Sequence, residues 1–248
     1  MWHTNYFQPK VMTLLKPLDQ TLKVGIFVCP GYFLGDVVGV QTVFGCSPNT
    51  EIHLVWKTLD PIDASPRWPT MATITFEECP DIDVLAVGLI PPDVIADPEV
   101  IAFFQQKSKS ASAVIGSCGG SLMLGAAALL EGRRATASMA FVDALEDLGA
   151  IPVPGGQVVV DGKFYTAGPA TGSFEAALIA LAALRGEEIA KVIELGIEYD
   201  PHPPFKVGSP ELAGPELTEQ ALGMYREAAD ACIAAARSAY EAYRGRPL

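Results

Sequence analysis

The sequence predicts an α/β protein: a mostly parallel sheet flanked by helices on both faces, with an extra C-terminal helix. Three observations carry this. Short apolar runs rich in Val and Ile, such as Lys23–Gly31, Asp81–Pro92 and Ser112–Gly120, stop at glycine or proline and read as strands buried on both faces. Segments with apolar residues at helical spacing alternate with them. A final stretch, Thr218–Gly245, has one long helical pattern with Leu222, Tyr225, Ala229, Ile233 and Ala236 on one face, poised to pack on the core or across a dimer.

Taken in order, residues 1–20 form an N-terminal extension of mixed character. Lys23–Gly31 is the first strand, ending in a Pro-Gly turn. Asp36–Gly45 is a short helix, Ile52–Asp60 a second strand, and Ala72–Pro80 contains a shorter one. Asp81–Pro92 is a central strand ending at Gly88. Asp97–Ser110 starts with Asp-Pro and carries helical spacing. Ser112–Gly120 is a strand and turn. Ser121–Gly132 is a small-residue helix closed by glycine, and Met139–Ala150 is another helix. Gly156–Gly168 is a hairpin around Asp161-Gly162. Phe174–Gly196 supplies one or two helices, and Asp200–Pro215 is a Pro-rich loop. The domain boundaries predicted are 1–20, a main domain over 21–211, and a helical extension over 212–248.

Composition narrows the function. With 248 residues, half of them hydrophobic, the chain can bury a sizeable core. The longest apolar runs, such as Ala176–Leu184, fall far short of the roughly 20 residues of a membrane span. The N-terminus lacks the pattern of a signal peptide, so a cytoplasmic location is expected. A formal charge of −12 argues against nucleic acid as a partner and is compatible with a neutral small-molecule substrate. The five cysteines and three histidines show no metal-type spacing, so no metal site is expected and the thiols are read as reduced.

One motif carries chemistry. Gly116-Ser117-Cys118-Gly119-Gly120 has the spacing of a nucleophile elbow with Cys at the nucleophile position. Glycine two residues either side gives clearance on a tight strand-to-helix turn. The following helix is expected to aim free N–H groups at the sulfur and lower its pKa. In such sheets, sites gather beyond the carboxyl ends of the strands, and Pro30-Gly31, Gly88-Leu89 and Gly116–Cys118 are three such ends. The remaining cysteines, including Cys29 and Cys232, read as structural. His202 reads as a surface or interface residue, and Arg133-Arg134 as partners for the surplus acids. Asp36 by itself reads as a helix N-cap.

The stretch Ile115–Ser138 resembles the cysteine elbow and following helix of the ThiJ/PfpI superfamily, whose fold is a flavodoxin-like three-layer sandwich of the class I glutamine amidotransferase type. The likeness is greatest to its isonitrile (isocyanide) hydratase subgroup. Pro30–Phe44, Asp83–Gly88 with Asp97–Phe104, and the Tyr-Asp-Pro-His-Pro-Pro-Phe stretch within Leu195–Glu211 agree, so the resemblance spans Lys23 to Glu211. It implies that Cys118 is the nucleophile, that Asp36 is its acidic partner rather than a cap, and that the Gly119 N–H faces the site. It also implies a homodimer and no cofactor. Three departures stand out. Gly119 replaces a Thr found in many hydratases. Leu89 and Ile90 replace the glycines of a turn whose backbone N–H helps hold an anion, followed by Pro91 and Pro92, which offer no N–H. Ser138 replaces a His. The pocket is therefore expected to be crowded and apolar around Leu89, Ile90 and Ser138.

The reaction implied is hydration of an isonitrile to an N-substituted formamide. Cys118 attacks carbon to give a thioimidate, Asp36 supplies the proton the nitrogen needs, and water displaces the sulfur. Two alternatives stand beside it: a divergent biosynthetic relative acting on a bulkier apolar substrate, and a cysteine redox sensor or stress protein without turnover. A regulator with an appended DNA-binding half is not expected, because the 37 residues after Glu211 read as one helix.

Overall fold

The computed structural model describes residues 16–245. Most of the expected N-terminal extension, residues 1–15, therefore lies outside the described residues, as do 246–248. In chain order the elements are β1 (Leu22–Phe27), α1 (Gly35–Gly45), β2 (Thr50–Trp56), β3 (Pro61–Ala64), β4 (Trp68–Met71), β5 (Ile74–Thr75) and β6 (Val84–Val87). Then come α2 (Pro92–Ile95), α3 (Pro98–Ser110), β7 (Ala113–Ser117), α4 (Gly120–Ala126), β8 (Arg134–Ala135), a 3-10 segment (Asp143–Leu148), β9 (Ile151–Pro152), β10 (Val159–Asp161) and β11 (Phe164–Ala167). Four helices close the chain: α5 (Gly172–Arg185), α6 (Glu187–Gly196), α7 (Pro210–Ala213) and α8 (Pro215–Tyr243).

The main sheet has seven strands in the order β10-β11-β7-β6-β1-β2-β5. All neighbours are parallel except β10, which pairs antiparallel with β11 through the Asp161-Gly162 turn. Strands β6 and β7 are buried at every position, as expected when both faces are covered. Helices α1 and α5 pack together on one face, with α6 against α5. Helices α2, α3, α4 and α8 pack on the other. An aromatic cluster of Phe27, Trp56, Phe76, Phe103 and Phe104 fills the space under α3, with Phe76 and Phe103 stacked at 4.3 Å. Asp97 caps α3, accepting from the Glu99 and Val100 N–H groups.

Several elements differ from the sequence reading. The helix expected over Ser121–Gly132 stops at Ala126. Ala128 takes φ +57° and the Leu129 N–H reaches back to the Leu124 carbonyl at 3.0 Å, a Schellman-type stop with alanine where glycine is usual. The segment expected as a helix over Met139–Ala150 is 3-10, closed by Gly149 at φ +77°. The β3–β4 hairpin and the short β8–β9 pair had no clear alternation to announce them. Phe174–Gly196 is two helices, broken where Gly186 takes φ +95°. Only the second half of α8 packs on the domain, through Ala229, Cys232, Ala236, Ala239 and Tyr240. Tyr225, expected on the packing face, stands 65% exposed. No helix among the described residues is long and apolar enough to cross a membrane.

Candidate active site

The ends of β6, β7 and β11 meet at Cys118. It follows β7 directly and holds φ +56°, a left-handed conformation that a side chain bearing Cβ rarely adopts. Its N–H donates to the Ala167 carbonyl at 2.8 Å, and its carbonyl accepts from the Ser138 N–H at 3.4 Å. The elbow is held at that angle by its helix. A Cβ on Gly120 would fall 2.2 Å from the Val87 carbonyl oxygen, so only glycine lets α4 begin against the end of β6. Ser121 Oγ donates to the Thr136 carbonyl at 2.7 Å, which ties the start of α4 to the segment carrying Ser138.

Asp36 sits in the first turn of α1 and is 1% exposed. It does not cap the helix: the N-cap position is Leu34, with no side-chain cap bond. Its carboxyl turns inward instead, and Oδ2 accepts from the Leu89 N–H at 2.6 Å. Gly88 makes this approach possible, since a Cβ there would lie 2.4 Å from Cβ of Asp36. The Cys118 thiol lies beside the same carboxyl, close enough for each to shift the other's protonation, and Oδ1 is buried without a hydrogen-bond partner among the described residues. Burial pushes the Asp36 carboxyl up to about 7, although the Leu89 N–H and the thiol favour its charged form.

The thiol itself is pushed up to about 12. Burial is the main cause and the Asp36 charge adds to it. The Ser138 hydroxyl and the Gly119 N–H act on the sulfur in the opposite direction without prevailing. This overturns the expectation of a thiol acidified by the helix N-terminus. Helix α4 is only seven residues long, and its opening N–H groups do not outweigh a buried carboxylate beside the sulfur. The resting pair is a neutral thiol against a carboxyl that changes charge near neutrality.

The structure brings together Cys118, Asp36, Gly119, Leu89 and Ser138. It does not bring in Ile90, which is 1% exposed in the core and whose carbonyl faces the Cys232 thiol of α8 at 3.8 Å. The Leu89 N–H is committed to Asp36, so it is not free to hold an anion beside the sulfur. Neither described histidine belongs to the cluster: His53 lies by Glu51 in β2 and the His202 side chain is 81% exposed. Among the described residues no group of three or more His, Cys, Asp or Glu side chains is placed to hold a metal. The cysteines are free thiols, with Cys29, Cys79 and Cys232 buried and Cys46 exposed.

The chain is similar to known proteins. The family model described as DJ-1/PfpI family matches residues 23–183. The chain belongs to the DJ-1/PfpI family. An isonitrile hydratase from Pseudomonas putida is 38% identical over 202 residues, covering 81% of this chain and 88% of that one. The crystal structure of a ThiJ/PfpI family protein from Pseudomonas syringae superposes with a TM-score of 0.83 at 30% identity, covering 94% of this chain and 98% of that one. Drosophila melanogaster DJ-1beta, at 13% identity and a TM-score of 0.66 over 73% of this chain and 100% of that one, shares the fold alone.

Within this DJ-1/PfpI chain, two neighbours of the site had escaped sequence reading. Phe141 lies against Gly119, and Ala167 receives the Cys118 N–H. Both are ordinary apolar residues, and nothing in their local sequence distinguishes them from the core. Gly88 was visible as a strand end, but its partner Asp36 is 52 residues away, and only the parallel pairing of β1 with β6 joins them.

Proposed function

We propose that this chain hydrates isonitriles to N-substituted formamides, with Cys118 as nucleophile and Asp36 as the proton carrier. The observation that supports it best is the half-buried Cys118 set beside the buried Asp36 carboxyl at the elbow, in a chain 38% identical to an isonitrile hydratase.

The protonation of the pair suits this substrate. An isonitrile has no acidic or basic group, so it enters a dry site at little electrostatic cost. Its terminal carbon accepts a nucleophile and a proton at the same atom. Sulfur forms the C–S bond while Asp36, as carboxylate, takes the thiol proton. Asp36 then delivers that proton to the same carbon, giving the thioimidate R–N=CH–S. Water next adds across C=N, its oxygen to carbon, with one proton passing through Asp36 to nitrogen. The C–S bond breaks, the remaining water proton returns to sulfur through Asp36, and R–NH–CHO leaves. One isonitrile and one water are consumed and the pair is restored. The Ser138 hydroxyl and Gly119 N–H stabilise charge on sulfur as the thiol ionises. A carboxyl near 7 suits both taking and giving the proton.

The reading includes a small-molecule substrate, a cytoplasmic setting, no cofactor and a homodimer. The dimer has support in exposed apolar side chains on the chain's last third: Leu195 at 79%, Phe205 at 83% and Met224 at 72% exposure. Incubating the purified protein with small alkyl isonitriles and following formamide tests the function. Turnover abolished by Cys118→Ala supports it, and no formamide from any isonitrile refutes it.

A further inference from the structure

We propose that Leu89 and Phe141 form a steric wall that admits slim, linear electrophiles to Cys118 and turns away trigonal ones, and that this wall is why residue 119 is glycine. The idea deepens the reading above and rests on it for the reaction, though not for the geometry. A Cβ on Gly119 would stand 2.4 Å from Cδ1 of Leu89, 3.2 Å from its Cβ, and 3.1 Å from Cε2 of Phe141. Carbon atoms in comfortable contact sit about 3.5–4.0 Å apart. The space beside residue 119 is therefore already occupied. Leu89 is hydrogen-bonded to Asp36, and Phe141 to Ser138, whose own N–H bonds the Cys118 carbonyl, so that occupied space borders the nucleophile.

The backbones of both wall residues are fixed. The Leu89 backbone is clamped on both sides: its N–H donates to Asp36 at 2.6 Å and its carbonyl accepts from the Phe33 N–H at 2.8 Å. Phe141 is 5% exposed, and its N–H is tied to the Ser138 carbonyl at 2.8 Å. Leu89 is half-buried, so the residual freedom of the wall lies in its side-chain rotamers. The two site departures noted in the sequence, leucine at 89 and glycine at 119, thus fill one volume between them.

The chemical consequence concerns the shape of the reacting carbon. An isonitrile carbon is terminal and bears no substituent, and the group on nitrogen begins beyond a linear C–N axis. A carbonyl carbon, as in a 2-oxoaldehyde, is trigonal and carries its substituents beside the point of attack. Those substituents meet Leu89 and Phe141 as sulfur approaches.

The test is alkylation of Cys118 by a slim reagent, iodoacetamide, and a bulky one, monobromobimane. It is read by mass spectrometry of the Cys118 peptide because Cys46 is exposed and reacts as well. Taking the bulky-to-slim rate ratio within each protein cancels any change in thiol ionisation. Leu89→Ala is expected to raise that ratio about tenfold or more, the scale on which one or two methylenes discriminate in an apolar pocket. Gly119→Ala is expected to lower the melting temperature in the native background and to lower it less when combined with Leu89→Ala. A ratio unchanged within about twofold in folded Leu89→Ala overturns the wall. Should Leu89→Ala not fold, Leu89→Val and Phe141→Leu put the same question with less volume lost. Failure of the native protein to hydrate isonitriles would sink the proposed function, while the alkylation ratio would still decide the wall.

Discussion

The carboxyl of Asp36 and the thiol of Cys118 meet across two strand ends, and each governs the other's protonation. The carboxylate adds to burial in pushing the thiol up to about 12, and the neighbouring thiol favours the carboxylate. Each is thereby tuned for a partner rather than for solvent. A thiol ionised by itself would be consumed by oxidants, whereas this one needs Asp36 to take its proton at the moment of attack.

Removing the carboxylate charge should free the thiol. Asp36→Asn keeps an oxygen to accept the Leu89 N–H but removes both the charge and the acid. The Cys118 pKa is expected to fall below about 12, read from thiolate ultraviolet absorbance against pH, while isonitrile turnover drops by about a thousandfold. A thiol pKa that stays put would show that burial alone sets it.

The pH dependence of stability has a definite sign. The Asp36 carboxyl titrates near 7 in the folded chain against 3.8 for the free side chain. Between those values the folded state holds a proton that the unfolded state has released, so this group's contribution favours folding at low pH and is lost as pH rises through 7. A shift of that size corresponds to roughly 4 kcal/mol. Melting temperatures of the native protein and Asp36→Asn should diverge between about pH 4 and 7, the variant gaining relative stability across that interval and keeping a constant difference above it. Parallel curves would exclude a buried titrating Asp36.

The rate should follow the same group with the opposite preference. Attack requires Asp36 as carboxylate, so kcat/KM for an isonitrile should climb through about pH 7 and then level off. The substrate does not ionise, which leaves the profile to the enzyme. A rate that falls across this interval would instead make protonated Asp36 the form that starts the reaction.

Ser138 supplies a hydroxyl where the family resemblance placed a histidine. Because that hydroxyl lowers the thiol pKa, Ser138→Ala should raise it further and slow Cys118 alkylation about tenfold or more, as expected for a lost hydrogen bond to a charged group. An unchanged alkylation rate would remove Ser138 from the site.

Local pattern was enough for much of this protein. Apolar runs ending in glycine or proline located β1, β6 and β7, and alternation with helices implied the parallel sheet, because a strand covered on both faces has no polar side to show. The elbow at Cys118 and its pairing with Asp36 were legible through spacing and resemblance. What the sequence could not determine was the balance of forces once those pieces met. Whether helix N–H groups or burial controls the thiol depends on how much water is excluded, and that is decided by residues as distant as Gly88 and Phe141. Leu89 and Ile90 are adjacent in sequence, yet the Leu89 N–H is bonded to Asp36 at the site while the Ile90 carbonyl lies against the Cys232 thiol of α8. Gly119 looked like a missing hydroxyl. Only packing showed that its space belongs to Leu89, because a volume shared by side chains from two strand ends is a property of the folded chain.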